Sequence, residues 1–298
     1  MNTMWLKNSR PWKWARLKRK KYQAWRVSRH VASCLEKGSF RVLVLFGNKR
    51  SGNHLFLNWY MSQATGTRIL FNNIRPLLSP WSATHEMRQD VRRNPTTLIF
   101  SYEDRDPERV MDGPLGEILA KHASQITQCT LAIVARDPRN LVASRLKKWP
   151  DELHDPEARQ RLLNNLIRNT RLALQPPGRF LGYTLVPVIY DSFIVNAAER
   201  RALAHSLGIP DGDAGLDEVP HYGHGSSFDG KDLHGSARQM DVLNRWKSFS
   251  DHPDFRDFMA DPRISALTAD FDAEMARRVE PVHAPHRTAP HPDMAVTA

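Results

Sequence analysis

The residues best suited to chemistry form a short loop at positions 47–52, Gly-Asn-Lys-Arg-Ser-Gly. Glycines allow the backbone to curl so that successive N–H groups point at an anion. A helix that begins after the loop adds the partial positive charge of its N-terminus, and Lys49 and Arg50 add full charges. The loop is therefore predicted to bind phosphate or sulfate.

The spacing of Gly47 and Gly52 matches that of a nucleoside-triphosphate P-loop, but the next two residues do not. That motif requires Lys and then Ser or Thr, for the β/γ-phosphates and for Mg²⁺. Asn53 and His54 stand there instead. A metal-free phosphate donor therefore fits better than ATP with Mg²⁺, and a glycine-rich turn without a ligand is the alternative.

A second segment that could bind an anion follows the apolar run at 131–135. Arg136, rather than a metal-binding acid, ends this predicted strand, and Asp137 and Pro138 are typical of the start of a helix that carries Ser144. An Arg at a strand tip with a nearby hydroxyl can clamp a phosphate through charge-assisted bonds. The alternative is a surface Arg136 paired with Asp137.

Apolar runs and helical patterns alternate around these loops. Strands are predicted at 40–46, 68–71, 96–101, 130–135 and 184–190, and helices near 54–64, 115–124, 139–148, 156–174 and 196–207. After a loop at 211–235, further helices are predicted near 236–249, 253–259 and 262–279. The alternation predicts an α/β fold, a mostly parallel, doubly wound sheet flanked by helices, with ligands at the carboxyl ends of the strands.

The composition predicts one globular domain with extra segments at both ends. Of 298 residues, 41% are hydrophobic and 25% charged, and we divide them into an arm at 1–38, a domain at 39–280 and a disordered tail at 281–298. The two cysteines, Cys34 and Cys129, favour a reducing compartment over a disulfide framework. The sequence shows neither a secretory signal nor an apolar run long enough for a transmembrane helix. We therefore expect a cytoplasmic protein.

The basic charge belongs to the arm. Residues 1–37 hold eleven Lys and Arg against Glu36 alone, whereas the whole chain carries +11. Trp5, Trp12, Trp14 and Trp25 are interspersed among these charges. The arm is either a solvated basic helix that packs its tryptophans on the domain or a peripheral contact with an anionic membrane or glycan. Nucleic acid is the least favoured partner.

Together the two loops resemble the signature of the PAPS-dependent sulfotransferases, which use 3'-phosphoadenosine-5'-phosphosulfate. Residues 49–55 are similar to that family's 5'-phosphosulfate loop, and residues 136–144 to its 3'-phosphate motif. Weaker similarities at 188–193, 206–209, 225–230 and 244–246 extend the resemblance over about residues 41–276. Two features depart from the family. Asn53-His54 replaces Thr-Thr, and the late glycine-rich motif is not clear, with Lys231 and Arg238 as candidate substitutes.

The resemblance implies a P-loop-like fold and sulfuryl transfer from PAPS, without a metal, to a hydroxyl or amine of a small molecule or glycan. It implies that Arg136 and Ser144 hold the 3'-phosphate and that Arg50 stabilises the leaving oxygens. Tyr190 and Phe228 are expected to border the adenine, with a plain core role as the alternative. The residues expected to hold the 5'-phosphosulfate are Lys49, Arg50, Ser51, Gly52, Asn53 and His54.

An acceptor hydroxyl also needs a base. Glu103 is the candidate because related enzymes place a His or a carboxylate near this point, and pairing with Arg105 is its alternative role. His54, beside the donor loop, is the alternative base. The late histidines could bind a metal by spacing, but no cysteine or acid joins them, so no metal site is predicted; they are His221, His224 and His234.

Two other functions remain open. A P-loop nucleotide-dependent kinase or phosphotransferase is disfavoured by Asn53 and His54. A non-catalytic module that binds anions and docks through its arm is disfavoured by the intact Arg50, Arg136 and Ser144.

Overall fold

The computed structural model describes residues 22, 29, 36, 38–74, 96–219, 228–229 and 232–279. Most of the predicted arm, the whole of the predicted tail at 281–298, and the late-loop residues His221, His224 and Lys231 lie outside the described residues, as does the side chain of Arg238. Within the described part, no helix is long and apolar enough to cross a membrane.

A six-stranded sheet forms the centre of the protein, in the order β2-β3-β1-β4-β6-β5. Neighbouring strands are parallel except for the short β5, which pairs antiparallel with β6. This is the predicted mostly parallel α/β sheet. The strands are β1 (Phe40–Gly47), β2 (Arg68–Phe71), β3 (Thr97–Glu103), β4 (Ile126–Ala135), β5 (Arg179–Phe180) and β6 (Tyr183–Ile189).

Helices cover both faces of the sheet because side chains alternate along its central strands. In β1, Val42 and Val44 pack with residues of α2, α3, α5 and α9, whereas Leu43 and Leu45 pack with α1, α6 and α7. The helices are α1 (Asn53–Gln63), α2 (Pro107–Met111), α3 (Pro114–Lys121), α4 (Pro138–Lys148), α5 (Pro156–Leu174), α6 (Tyr190–Val195), α7 (Ala197–Leu207), α8 (Pro253–Met259) and α9 (Pro262–Val279).

The connections of the sheet create a crevice where the two predicted anion loops begin. The connection after β1 leads to β2 on one side of the sheet, and the connection after β4 leads to β6 on the other. Such a topological switch point is where ligands bind in open α/β sheets. Gly47 at the end of β1 lies opposite Val134 of β4, so the loops after the two strands are neighbours.

The predicted helix at 236–249 is wrong. The segment forms two short 3₁₀ turns, Ala237–Gln239 and Arg245–Phe249, with non-helical backbone between them. Side chains from the β4–α4 region bind the carbonyls between the turns: Arg136 donates to Val242 O at 2.5 Å and Asn140 to Leu243 O at 2.7 Å. These long-range bonds replace the hydrogen bonds of a helix.

Other differences are smaller. β3 continues through Glu103, two residues beyond the predicted end, because its last residues pair with the last residues of β1. Tyr190 begins α6 rather than ending β6, and the sequence did not predict α2, α6 or β5. The extension of β3 matters for the site, since it brings Glu103 level with Gly47.

A buried carboxylate joins the carboxyl ends of β4 and β6. Asp191, 4% exposed, accepts a hydrogen bond from the backbone N–H of Asp137 at 2.9 Å. Burial raises the pKa of Asp191 from 3.8 to about 6, and the nearby positive charge of Arg136 opposes this rise. Keeping this carboxylate ionised at neutral pH therefore reduces the stability of the folded protein.

Asp191→Asn should stabilise the protein above pH 6, because it removes the buried charge and keeps the acceptor oxygen. The raised pKa means that the folded state binds more protons than the unfolded state between pH 4 and 6, so wild-type stability falls as pH rises through that window. The increase in the free energy of unfolding that the variant gives should grow across this pH window and reach a plateau of up to about 3 kcal/mol. Urea unfolding at pH 4, 5, 6 and 7.5 measures it.

Asp211→Asn, at an exposed aspartate, is the matched control and should show no such change between pH 4 and 6. An Asp191→Asn variant that is less stable than the wild type at pH 7.5 would contradict the prediction.

Candidate functional site

The β1–α1 loop curls as a phosphate-binding loop requires. Arg50 and Gly52 both have left-handed backbone conformations, with φ of 73° and 98°. A Cβ on Gly52 would lie 2.0 Å from the Tyr190 ring, so this position needs glycine for space as well as for backbone angle. The loop thus packs directly on Tyr190.

Ser51 and Asn53 brace the loop from inside. The Asn53 amide nitrogen donates to Asn48 O at 3.0 Å and to a Glu103 oxygen at 3.3 Å. The Ser51 hydroxyl lies 2.7 Å from Asn48 O and 2.9 Å from Asn53 Oδ1. Both side chains are buried. The position that a triphosphate-binding loop gives to lysine is therefore used to hold the backbone of the loop.

Asp104 attaches the loop to the end of β3. Its carboxylate accepts from the Lys49 backbone N–H at 2.9 Å, and its own N–H donates to Gly47 O at 3.0 Å. The Lys49 ammonium lies 3.6 Å from the same carboxylate. Arg145 donates to both Asp104 oxygens at 2.9 Å. The carboxylate therefore fixes the start of the loop and one of its two cationic side chains.

Arg136 lies beneath the loop and is 3% exposed. Its guanidinium donates to Arg50 O at 3.1 Å and to Val242 O at 2.5 Å, while its buried Nε has no hydrogen-bond partner among the described residues. The alternative of a surface Arg136 paired with Asp137 is wrong, because Asp137 pairs with Arg139 at 2.9 Å.

Three arginines from separate segments gather here. Burial and then the charge of Arg136 lower the pKa of Arg50 to about 10; Glu103 opposes this shift, and Arg245 adds a smaller lowering effect. Burial and Arg136 also lower the pKa of Arg245, which forms an ion pair with Asp229 at 2.5 Å. Mutual repulsion of this kind marks a place where an anion would stabilise the cations.

Ser144 and the two predicted adenine neighbours adjoin this cluster. The Ser144 hydroxyl lies 3.4 Å from Arg50 Nε. Tyr190 is buried, with its ring 5.0 Å from the Arg136 guanidinium, and the half-buried Phe228 has the Arg245 guanidinium 5.0 Å from its ring. Each aromatic ring thus lies against an arginine of the cluster.

The two candidate bases lie together at the end of β3. Glu103 is 7% exposed, and its Oε1 lies 3.8 Å from His54 Nε2. That nitrogen is also 3.2 Å from the Asn72 amide. The nearest polar partners of Glu103 are thus Asn53 and His54 rather than Arg105, whose Nε has no hydrogen-bond partner within the described part of the chain. Their 3.8 Å separation is within ion-pair range but beyond hydrogen-bonding distance.

Sequence reasoning gave no role to Arg245, Asp104 or Arg145. Arg245 lies in the 244–246 segment, which carries one of the weaker family similarities. Asp104 directly follows the candidate base Glu103, so both residues adjoin segments to which the sequence analysis assigns a role. Nothing local to the sequence indicates that Arg145 reaches Asp104, 41 residues away.

Among the described residues, no group of three or more His, Cys, Asp or Glu is placed to hold a metal ion. Of the late histidines, His234 accepts a hydrogen bond from the Val219 N–H at 3.1 Å.

No protein-family model and no curated protein matches the sequence. The solved structures similar to this chain include the crystal structure of mouse sulfotransferase SULT7A1 complexed with PAP. The alignment has 11% sequence identity and a TM-score of 0.40, and it covers 82% of this chain and 94% of the mouse chain.

Proposed function

We propose that the chain transfers a sulfuryl group from PAPS to a hydroxyl or amine of an acceptor. The observation that carries the proposal is the cluster of Arg50, Arg136 and Arg245 at a topological switch point, where burial and, after it, mutual repulsion lower the pKa of Arg50 and Arg245. A donor with phosphate groups at both its 3' and 5' positions would supply the missing negative charge.

The interior of the loop favours this donor over a magnesium-bound triphosphate. Asn53 lacks a charge, and its side chain is occupied by Asn48 and Glu103. His54 offers no hydroxyl, and its ring lies beside Glu103 and Asn72. These contacts leave the loop without the lysine and the hydroxyl on which triphosphate binding depends.

Each residue of the site would have a separate role in the reaction. Arg136 and Ser144 would hold the 3'-phosphate, and Arg136 Nε, which has no hydrogen-bond partner among the described residues, is an available donor. As the acceptor oxygen forms its bond to sulfur and the bond from sulfur to the 5'-phosphate breaks, Arg50 would neutralise the charge that develops on the leaving phosphate. Glu103 or His54 would accept the proton that leaves the acceptor.

The acceptor and the arm belong to the proposal too. A saccharide acceptor follows from the family resemblance alone. Association of the arm at 1–38 with an anionic membrane surface, in a cytoplasmic protein, follows from its charge and its tryptophans.

The protein should bind 3'-phosphoadenosine-5'-phosphate (PAP) more tightly than ATP with Mg²⁺ in isothermal titration calorimetry. Arg50→Gln should weaken PAP binding by about ten- to a hundredfold, because it removes a charge-assisted hydrogen-bond donor. Glutamine is chosen because, like arginine, it carries a Cβ, so both residues meet a similar backbone strain at the positive φ of position 50. Arg161→Gln, which removes an exposed cation of α5, is the control and should bind PAP as the wild type does.

Tighter binding of ATP with Mg²⁺ would favour the kinase alternative, and binding of neither nucleotide would reject the proposal. An Arg50→Gln variant with wild-type affinity for PAP would show that Arg50 does not hold the donor.

The 3'-phosphate assignment predicts that the wild type prefers PAP to 5'-AMP, which lacks that phosphate. Ser144→Ala should reduce the ratio of the two affinities by about tenfold through loss of one hydrogen bond to a charged group. Ser206→Ala, at an exposed serine of α7, should leave the ratio unchanged. Equal affinities for the two nucleotides in the wild type would contradict the assignment.

Glu103→Gln should lower kcat by about 10²–10⁴-fold, the usual contribution of a general base, and leave PAP affinity within about threefold. The amide oxygen can still accept from Asn53, so the loop should keep its shape. Steady-state assays with the best acceptor from a panel of hydroxylated compounds measure kcat. If Glu103→Gln retains kcat and His54→Gln loses it, the proton goes to His54 instead.

A further inference from the structure

A partly exposed indole stands beside the donor loop. Trp149, at the C-terminal end of α4, is 37% exposed. The guanidinium of Arg145 lies 5.4 Å from its ring centroid, within the range of a cation–π contact. The exposed part of the ring is therefore an apolar surface with a fixed support.

Arg145 is itself held rigidly. It is 5% exposed and donates to both oxygens of Asp104 at 2.9 Å and to a Glu152 oxygen at 2.7 Å. Two carboxylates from different segments thus neutralise the guanidinium and fix its position. The orientation of Trp149 follows from this network, because its ring packs on the fixed guanidinium.

Lys49 joins this surface to the donor loop. Its ammonium lies 5.8 Å from the Trp149 ring centroid and 3.6 Å from Asp104, and its side chain is 35% exposed. Asp104 already receives two hydrogen bonds from Arg145, and a partly exposed ion pair contributes little stability. The ammonium can therefore exchange Asp104 for an incoming anion at small cost.

We propose that Trp149 and Lys49 form an acceptor subsite for a hydroxylated ring compound that carries a carboxylate. The ring of the acceptor packs on the exposed indole, and its carboxylate pairs with Lys49. The exposed Lys147 and Lys148, which precede Trp149, add to the positive charge. The inference rests on the proposed function, because Lys49 directly precedes Arg50 and a ligand bound here lies next to the donor loop.

The subsite gives Lys49 a different role from the one that the sequence predicts. The family resemblance implies that Lys49 holds the donor, whereas its ammonium lies on Asp104 and over Trp149. A sugar acid and a phenolic acid share the chemistry that this surface recognises, and the experiment separates them.

The test follows the indole N–H signal of Trp149 in ¹H–¹⁵N spectra, assigned by its loss in Trp149→Phe, with and without PAP. Two matched pairs of probes are titrated: methyl β-D-glucuronide against methyl β-D-glucoside, and 4-hydroxyphenylacetate against 4-hydroxyphenethyl alcohol. At least one carboxylated probe should shift the signal and bind about fivefold more tightly than its neutral partner. Lys49→Gln should bring that ratio to about one, and Lys121→Gln, at an exposed lysine of α3, should preserve it.

A response to the glucuronide alone assigns an acidic saccharide, and a response to the phenolic acid alone assigns an aryl acid. The proposal is overturned if no probe shifts the Trp149 signal, if neutral and charged partners bind equally, or if Lys49→Gln keeps the preference. Calorimetry with PAP keeps the two hypotheses apart. Carboxylate binding at Trp149 without PAP binding supports the subsite and rejects the sulfotransferase function, whereas PAP binding without a Trp149 response rejects the subsite alone.

Discussion

The burial of Arg50, Arg136 and Arg245 close to one another is the constraint on which the site depends. Backbone carbonyls of Arg50 and Val242 hold Arg136, and they orient its guanidinium without cancelling its charge. Asp229 compensates Arg245 in part. Asp191 near Arg136 and Glu103 near Arg50 also offset part of the charge, and the packing of the sheet and its helices must balance the remaining cost of gathering the three cations. Under the proposed function, the phosphates of the donor would offset this cost.

Many of the strands and helices around the arginines can be predicted from local sequence. The apolar runs of β1 and β4 indicate strands buried on both faces, and the structure confirms both. Asp137 caps α4, and Pro138 occupies its first turn, as their types suggest. The bounds of β2, α5, α8 and α9 agree with the predicted ones. These elements are set by periodicity and by terminal residues, which are properties of short stretches of chain.

The contacts that complete the site are not properties of short stretches. Arg136 and Asn140 reach the carbonyls of Val242 and Leu243 across more than 100 residues, and these bonds turn a helical pattern into irregular backbone. Asp104 meets Arg145 only because the sheet brings β3 and β4 to opposite sides of β1. One sequence contains no record of such pairings, so the tertiary partners of correctly placed residues could not be predicted.

Arg136, which follows β4, and Arg145, in the last turn of α4, show why the kind of partner matters more than burial. Arg145 is neutralised by Asp104 and Glu152, so its charge acts inside the protein and positions Trp149. Arg136 donates to two carbonyls, and among the described residues its Nε has no hydrogen-bond partner. The buried Asp191 offsets part of its charge, and under the proposed function the remainder would act on the donor. A carboxylate neutralises the charge of an arginine, whereas a carbonyl orients the guanidinium and leaves its charge in place. Under the proposed function, neighbouring arginines would thus serve as scaffold on one side of the 47–52 loop and as anion site on the other.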